Sequence, residues 1–390
     1  MLILADVTEN SAAAPADPFE SKFVTGTSGD IIVASRGKGG KYTEHLRVKV
    51  SKNARKPKHT CTDVRFHNNT QAVVMCGDSK AVVDLGTPGS ADTLGSSRLR
   101  WHMGEHGNNE HAVELIPGPY MVSASSGGRG YGLEVRKLHA DGSATLVQTC
   151  SLASGHALKW DRKRNLLWAL GSSVFPQTWE YRDPKEKLDP YWTCEESEHV
   201  YGVLCAYPLR EGHERPLGHP MVFPLPDSQE LPESENPKHG NYGWREGPHD
   251  FAPLPRQDKF LVSTDMHSFV FDIGEAMRLG ASSKAEMKKL FVPAEQSLLE
   301  GFKSPMEFDE FKAVSIHSNG DVLICQARMV PPGLETAQVE TEYTPDYVSS
   351  WLTVFRPSTK EHYYLKPPAY TYKARWHEEP AGWEGITLPS

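Results

Sequence analysis

Short segments of alternating hydrophobic and polar residues recur along the chain, and each is followed by a turn and a second apolar segment. The clearest example begins at His111 and reads HAVELIPGPYMVSASSG, with a Pro-Gly turn between its two halves. Alternation with a period of two predicts a half-buried strand, and two such runs joined by turn residues predict a β-hairpin. The pattern therefore predicts a chain built mainly from hairpins.

The same unit recurs elsewhere. Clear copies begin at Thr62, His156, His249 and Lys312, a partial copy begins at Lys22, and a degenerate copy lies near Arg375. The spacings between Thr62, His111 and His156 lie in the range of roughly 40–50 residues that a four-stranded propeller blade occupies. We therefore predict one β-propeller domain over residues 1–390, with insertions at about 172–198, 226–246 and 272–305. The third insertion has a helical composition, with a capping-box pair at Ser283 and Glu286.

The predicted fold class is all-β, a seven-bladed β-propeller with six blades as the alternative. The two chain ends are expected to complete one blade, because ring closure protects the strand edges that an open array would expose. A pair of β-sandwiches and a β-helix are the competing architectures. The long and unequal insertions fit a β-helix poorly.

Composition narrows the function classes. The chain of 390 residues is 38% hydrophobic and 24% charged, and its formal net charge is -8. These values are typical of a soluble globular protein and offer no basic surface for nucleic acid, so an anionic ligand would need a local basic site. No apolar run is long enough to span a membrane. We expect a monomer without nucleic-acid or membrane partners.

The sequence leaves two alternatives open both for the localisation of the protein and for the state of its cysteines. The N-terminal segment lacks signal-peptide features, whereas Asn68-Asn69-Thr70 is a glycosylation sequon. We expect a secreted protein, with a cytoplasmic one as the alternative. Cys61 and Cys76 are predicted to face each other across a hairpin, and both disulfides and free buried thiols fit the six cysteines. The others are Cys150, Cys194, Cys205 and Cys325, and the spacing matches no zinc site.

Three histidines occupy the same position of the repeat. His111, His156 and His249 each open a unit, and the first strand of a propeller blade lines the central channel. We therefore expect the three imidazoles to converge, where they would ligate a divalent metal or bind an anion. The alternative is that each one hydrogen-bonds the neighbouring blade. His106 lies in the polar loop before His111 and is a second candidate for chemistry.

Glycine-rich loops are predicted to reach the same face as these histidines. They carry the candidate substrate-binding residues Arg36, Tyr42, Arg129, Tyr131, Tyr242, Trp244, Arg245 and Arg328. Glycine lets the backbone approach a ligand closely, although tight turns with solvated charges would look the same. No GxSxG, HExxH or phosphate-loop pattern is present.

This set of residue types suits β-elimination from a uronic acid. The C5 proton of a uronate is too weakly acidic to remove while the adjacent carboxylate keeps its charge. An Arg or a metal ion must therefore neutralise the carboxylate, and a His or Tyr takes the proton. Trp and Tyr faces stack on the apolar sides of sugars.

The units HAVELIPG, GHALKWDRKRNLLWALG and GPHDFAPL resemble those of seven-bladed β-propeller polysaccharide lyases, in character the fungal L-rhamnose-α-1,4-D-glucuronate lyase family of gum arabic degradation. The resemblance implies cleavage between L-rhamnose and O4 of glucuronate, with release of the sugar and an unsaturated uronate. It also implies a funnel-mouth pocket for an acidic polysaccharide, a His as acid and base, and a divalent cation, with calcium as the ion. No organic cofactor is expected.

Mapped onto this chain, the resemblance makes His106 or His111 the acid/base residue, and His106 is preferred because it lies in a polar loop over the funnel. His111, His156 and His249 become the metal ligands, and Arg129, Arg245 and Arg328 the carboxylate clamp. Without a metal, His111 becomes the better base. The alternative function is a non-catalytic carbohydrate- or protein-binding propeller, and a hydrolase with a metal-bound water is a third class.

Overall fold

The computed structural model is an all-β protein whose strands form six four-stranded sheets. The residues that the structure describes, to which every structural statement here refers, are 22–26, 30–36, 42–50, 61–67, 71–76, 79–84, 99–103, 110–125, 132–150, 152–174, 200–226, 248–264, 267–279, 288–304, 311–327, 329–332, 348–349, 351–367 and 370–386. Within them, no helix is long and apolar enough to cross a membrane.

Each sheet is one blade of a β-propeller. Blade 1 contains β1 (Lys22–Gly26), β2 (Asp30–Arg36), β3 (Tyr42–Lys49) and the last strand, β24 (Ala374–Trp376). Blade 2 contains β4 (Cys61–His67), β5 (Gln71–Cys76), β6 (Ser79–Asp84) and β7 (Leu99–Met103). Blade 3 contains β8 (Glu110–Ile116), β9 (Tyr120–Ser125), β10 (Gly132–Leu138) and β11 (Ala144–Cys150).

The remaining three blades follow in chain order. Blade 4 contains β12 (Ala153–Asp161), β13 (Leu166–Val174), β14 (Val200–Pro208) and β15 (Met221–Pro224). Blade 5 contains β16 (Pro248–Pro253), β17 (Lys259–Thr264), β18 (Ser268–Asp272) and β19 (Phe291–Pro293). Blade 6 contains β20 (Phe311–Ile316), β21 (Val322–Gln326), β22 (Leu352–Arg356) and β23 (Glu361–Leu365).

The described residues form six blades, so the prediction of seven is wrong and the six-bladed alternative is what the structure shows. The sequence pattern counts one blade twice. The units at Lys22 and Arg375 belong to the same sheet, because β24 pairs with β1 with Val24 opposite Arg375. The expectation that the two ends of the chain complete one blade is confirmed.

Helical structure occurs where the third insertion was predicted. The helix α1 (Ile273–Leu279) and two 3₁₀ turns, at Lys288–Leu290 and Ala294–Gln296, flank β19. Because β19 pairs with β18, part of this segment supplies the outer strand of blade 5 rather than a simple insertion. The predicted capping pair Ser283 and Glu286, and most of the other two predicted insertions, lie outside the described residues.

The apolar core is divided among the interfaces between blades. Six clusters of buried side chains lie between neighbouring blades, one for each interface around the ring. Trp168 of blade 4 illustrates the packing, because its ring contacts Phe223 of its own blade and Phe260 and Phe271 of blade 5. Fully burying one such large side chain stabilises the fold by about 1.5–3 kcal/mol.

Side chains also satisfy the open edges of the innermost strands. Each such strand carries backbone N–H groups that no further strand of its own blade can accept. In four cases a side chain of one blade accepts the N–H of the next. The pairs are Asp63 with Val113 (3.2 Å), Glu114 with Trp160 (3.2 Å), Asp250 with Val314 (2.9 Å) and Ser315 with Trp376 (3.1 Å).

The six innermost strands run in the same direction around a central channel. We call the end where these strands begin the mouth, and the end where they finish the floor. The segment 377–386, which follows β24, crosses the floor and contacts most of the blades. Its bonds include His377 N–H to Lys22 O (2.8 Å), Ser318 Oγ–H to Glu378 Oε2 (3.2 Å), Arg256 N–H to Ala381 O (2.8 Å) and Trp383 Nε1–H to Leu254 O (3.2 Å).

Candidate functional site

A β-bulge in the innermost strand of five blades turns one residue towards the mouth of the channel. In the pairing of β8 with β9, for example, Glu110 lies opposite Ser125 and Ala112 lies opposite Ala124, which leaves His111 as the extra residue. The same irregularity leaves out Thr62, His249 and Lys312 in blades 2, 5 and 6, and the segment containing His156 in blade 4. Bulges re-aim side chains in this way.

These residues form what we call the mouth ring. In blade 1 the equivalent position is Tyr372, because Ser315 bonds the Trp376 N–H of blade 1 as Glu114 bonds the Trp160 N–H of blade 4. The mouth ring therefore consists of Thr62, His111, His156, His249, Lys312 and Tyr372. None of the six side chains is acidic.

The three histidines of the ring lie in contact, as the repeat predicted. The ring centroids of His111 and His156 are 4.4 Å apart, and those of His156 and His249 are 5.0 Å apart in an edge-on arrangement. Tyr372 completes the group with its ring centroid 5.4 Å from that of His111. Four aromatic rings from four blades thus meet at the mouth.

Burial and neighbouring cations keep the imidazoles of His111 and His156 neutral. Burial lowers the pKa of His111 well below its ordinary value, and Lys373, His249 and Lys312 lower it further. Burial likewise depresses the pKa of His156, with His111 and His249 adding to the effect. A neutral imidazole can accept a proton or a hydrogen bond, which a protonated one cannot.

His156 is held in one tautomer by a strained loop. Its Nδ1 lies 2.6 Å from the Ser154 carbonyl oxygen, to which it donates, so the lone pair resides on Nε2. Ser154 has a φ of 45°, a left-handed conformation that costs a non-glycine residue roughly 1–3 kcal/mol. Gly155 packs closely on blade 3, where an added Cβ would lie 2.9 Å from Ala124 Cβ. The strained Ser154 and the closely packed Gly155 thus fix the orientation of the His156 ring.

His111 differs from His156 in its surroundings. Both of its ring nitrogens are buried, and neither makes a hydrogen bond within the described residues. His249 is different again, because the Lys312 Nζ donates to its Nε2 at 2.7 Å. Of the three histidines, His156 alone has a hydrogen bond that leaves an imidazole nitrogen with a lone pair in a half-buried position.

A buried lysine lies directly beneath the mouth ring. The Nζ of Lys373 donates to the backbone oxygens of His111 (3.1 Å) and His156 (2.5 Å), and so ties blade 1 to blades 3 and 4 across the channel. Burial lowers the pKa of Lys373 to about 8, although Asp63 and Asp250 oppose the shift. Its charge therefore responds to any anion that comes near.

A layer of ion pairs closes the channel below Lys373. Arg65 bonds Asp63 (3.1 Å) on its own strand and Asp250 (3.2 Å) on blade 5, so it spans the channel. Arg375 bonds Asp250 through both terminal nitrogens, and its Nη2 lies 3.4 Å from Asp63 Oδ1. With Lys373, three cations face two carboxylates. Burial alone would raise the pKa of Asp250, but Arg375, Lys373 and Arg65 hold it below its ordinary value.

The three histidines predicted as metal ligands lie close together, but their side chains are not arranged as a metal site. Among the described residues, no group of three or more His, Cys, Asp or Glu side chains is placed to hold a metal ion. Calcium, the ion implied by the sequence resemblance, binds oxygen ligands, whereas His111, His156 and His249 offer nitrogen. The donors of this cluster therefore do not fit calcium, and no chemical step is assigned to it.

Most of the predicted loop residues lie outside the described part of the chain. These are His106, Arg129, Tyr131, Tyr242, Trp244, Arg245 and Arg328. Arg36 lies at the end of β2, but its side chain is also outside the description, and Tyr42 is 41% exposed at the start of β3.

The prediction that Arg36 and Tyr42 share the face of the histidines is corrected by the strand order. The prediction treats the segment from Lys22 as the first strand of its blade. That segment is the second strand, because β24 lies inside it. The direction of the following strands is therefore reversed, and the end of β2 lies at the floor, where Ser35 pairs with Lys22 beside His377.

Sequence reasoning missed the charged residues that surround the histidines. Lys312 stands at the start of a recognised repeat unit, and the equivalence with His111 was the signal that could have identified it. Lys373 and Tyr372 were missed because the sixth innermost strand has only three residues, too few for an alternating pattern. Asp63 and Asp250 follow the first position of their units, where Ala112 and Ala157 stand in other blades.

Comparisons with known proteins assign no family to this chain. No protein-family profile matches the chain, and no curated protein matches it either. Among solved structures, a protein of unknown function from Bacteroides caccae is 9% identical, with a TM-score of 0.46 over 91% of this chain and 98% of that chain. A chain of a nidogen/laminin complex is 7% identical, with a TM-score of 0.47 over 91% and 97% of the two chains.

A third solved structure, the WD40 β-propeller domain of Doa1, is 10% identical, with a TM-score of 0.41 over 91% of this chain and 82% of that chain. At these identities and TM-scores the matches carry no argument about family or function. The propeller architecture rests on the strand order of the six sheets. Nothing among the matches supports the rhamnose–glucuronate lyase family in particular, and the six blades differ from the seven of that family.

Proposed function

We propose that the mouth ring binds the carboxylate of an acidic sugar, and that the reaction it supports best is β-elimination from a uronate. One observation carries the proposal. Imidazoles held in the neutral form stand together beside the Lys312 ammonium group, at a level of the channel where none of the six ring residues is acidic. The protein as a whole is acidic, so this local arrangement is what would attract an anion.

The chemistry needs a cation and a base at the same carbon. A cation beside the uronate carboxylate stabilises the charge that builds up when the C5 proton leaves. A neutral imidazole nitrogen takes that proton, the C5–H electron pair becomes the C4=C5 double bond, and the C4–O4 bond breaks. The O4 atom leaves with the departing sugar and is protonated, which yields a free sugar and an unsaturated uronate.

We assign the role of base to His156 rather than to His106 or His111. A base must present a lone pair to the substrate, and the bond from Nδ1 to Ser154 places that lone pair on Nε2. The nitrogens of His111 are buried, so this side chain supports the arrangement by packing on His156. His106 lies outside the described residues.

Two lysines take the role that the sequence analysis assigned to arginines. Lys312 belongs to the mouth ring itself, and Lys373 lies beneath it with its Nζ between the carbonyls of His111 and His156. A carboxylate placed over the ring would be within the field of both cations, whose side chains are buried, and charge interactions are stronger among buried groups than in water. Arg129, Arg245 and Arg328 remain predictions.

The test uses the whole protein and a panel of glycans with internal or terminal uronates, including rhamnose-capped gum. We expect absorbance near the ultraviolet edge to rise as the double bond forms. His156→Ala should lose at least about 100-fold in rate, the usual contribution of a positioned base. His139→Ala is the matched control, because His139 is bonded to Thr145 at the end of blade 3 and away from the channel.

A non-catalytic sugar-binding module is the second candidate. The observation that favours it is the strong downward shift of the pKa of the histidines, since an imidazole that resists protonation is also a weak base. Binding of a uronate glycan without any change in the glycan supports the module. Cleavage without a double bond indicates a hydrolase, and the absence of both binding and turnover across the panel overturns the site.

A further inference from the structure

Two cysteines face each other just outside the mouth ring, at the end of blade 2. Cys61 and Cys76 are opposite residues in the pairing of β4 with β5, and both are buried, with exposures of 1% and 0%. They form the terminal pair of this ladder, and the bulge that leaves out Thr62 separates them from the next pair, Asp63 with Met75. The equivalent pairs in other blades contain no cysteine: Glu110 with Ser125, Ala153 with Ser172, Pro248 with Thr264 and Phe311 with Gln326.

We propose that Cys61 and Cys76 are an oxidation site, which a small-molecule disulfide such as oxidised glutathione converts into a cross-strand disulfide. The geometry supports the bond. Residues directly opposite in an antiparallel pair have Cβ atoms about 4.5–5.5 Å apart, and a disulfide needs about 3.5–4.5 Å. The adjacent bulge weakens the ladder at this point, so the two strand ends can make the small approach required.

The thiols already interact with each other. Burial raises the pKa of the Cys76 thiol well above its ordinary value, and the neighbouring Cys61 raises it further, so the two thiols lie close enough to interact. The Cys61 Sγ also lies 3.4 Å from the Asp63 carbonyl oxygen, to which it donates. The other described cysteines are buried and free in separate parts of the fold: Cys150, Cys205 and Cys325. The pair is therefore set apart from them by position as well as by contact.

The disulfide would form by two successive thiol–disulfide exchange steps. One cysteine loses its thiol proton and attacks the small disulfide, which releases one small thiol and leaves a mixed disulfide. The second cysteine loses its proton and attacks the cysteine sulfur of that mixed disulfide, which releases the second small thiol. Two protein thiols are oxidised, and one small disulfide is reduced to two thiols. Burial raises the pKa of Cys76, so we expect the reaction to be slow.

The bond would change the structure beside the ring. In the reduced protein the Cys61 thiol donates to the backbone of Asp63, whose carboxylate belongs to the layer of ion pairs. The disulfide removes that donor and fixes β4 to β5 beyond the bulge. Blade 2 would then hold Thr62 in the mouth ring by a covalent link. This inference does not depend on the proposed function.

The experiment incubates the whole protein with mixtures of oxidised and reduced glutathione, blocks remaining thiols with N-ethylmaleimide under denaturing conditions, and maps the peptides by mass spectrometry. We expect one cross-linked pair, Cys61 with Cys76, at the loss of two hydrogens, with the other cysteines alkylated. The oxidised protein should unfold at a higher temperature than the reduced one, since the link constrains the unfolded chain.

Variants separate the proposed bond from general oxidation. The temperature difference should vanish in both Cys61→Ser and Cys76→Ser, and it should persist in Cys325→Ser. Alkylation of both Cys61 and Cys76 after the most oxidising mixture overturns the proposal. So does a link of either residue to another cysteine, or a stable glutathione adduct on one of them.

Discussion

The two ends of the channel are built from the same six strands, and they differ in what the chain does with them. At the mouth, bulges turn histidines and a lysine towards the axis, Tyr372 joins them from blade 1, and Ser154 adopts a left-handed conformation to orient one ring. At the floor, the segment 377–386 covers the strand ends, and Trp383 is 4% exposed in a core cluster of blades 4 and 5. Backbone strain at the mouth lowers the stability of the fold, whereas apolar packing at the floor raises it.

The largest effect is expected at the floor. Trp383→Ala should lower the free energy of unfolding by about 3–5 kcal/mol, because it empties a site where the indole packs on Phe260 and donates to Leu254 O. Urea unfolding measures the loss. Tyr42→Ala at the same end is the control, and since Tyr42 is 41% exposed its effect should stay within about 0.5 kcal/mol. Equal effects of the two variants would show that the segment does not close the floor.

A smaller effect on stability is expected at the mouth, with a larger effect on function. Gly155→Ala should cost about 1–3 kcal/mol, because the new Cβ would meet Ala124 Cβ at 2.9 Å and push the His156 loop aside. Turnover or binding should fall with it. Gly274→Ala is the control: it lies in α1, its Cβ would meet only Asp272 Oδ1 at 3.4 Å, and alanine favours a helix. A Gly155→Ala protein with full stability and activity would contradict the account of the loop.

Acid should destabilise both ends of the channel. The unfolded chain takes up protons at its histidines near pH 6.5, whereas the folded protein resists protonation of His111 and His156. The free energy of unfolding should therefore be highest, with respect to these two histidines, above about pH 6.5. It should fall as the pH decreases below that value, because protonation then favours the unfolded chain. His377 at the floor contributes in the same direction, with a pKa of about 4 that results mainly from burial.

Unfolding measured from pH 7 to pH 4 separates these contributions. The double variant His111→Gln/His156→Gln should flatten the slope more than His377→Gln, because two histidines are removed rather than one. A slope that is unchanged in the double variant would mean that the imidazoles of the mouth are protonated as readily in the folded protein as in the unfolded chain.

The smallest change in stability is expected where the change in function is greatest. His156→Gln keeps a polar side chain of similar size and should lower the free energy of unfolding by about 0.5–1.5 kcal/mol, the net value of the one hydrogen bond to Ser154 that it puts at risk. It removes the lone pair on Nε2, so elimination should be lost if His156 is the base. Activity equal to that of His139→Gln would reject this assignment and leave His106 and His111 as candidates.

The sequence was informative wherever a repeat unit was long enough to show its period. The hairpins from Thr62, His111, His156, His249 and Lys312 are present, and the three histidines converge because equivalent positions of a ring fold meet at one axis. The pairing of Cys61 with Cys76 across a hairpin is also confirmed as a register. Local pattern and turn chemistry suffice for such features.

Long-range relations were beyond the pattern. The blade count failed because β24 has three residues and pairs with β1 from the other end of the chain. The same error placed Arg36 and Tyr42 at the wrong end. The contact of Arg65 with Asp250 joins residues on opposite sides of the ring, and no local period encodes it. The layer of ion pairs beneath the histidines could therefore not be predicted from the sequence pattern.

The central claim is that bulged residues from all parts of the chain form one anion-binding mouth. A crystal structure of the protein soaked with a uronate disaccharide tests it most directly. We predict the uronate carboxylate at the mouth ring near Lys312, with C5 facing His156 Nε2. A sugar bound at the floor beside Tyr42, on an outer strand, or nowhere on the molecule would contradict the account.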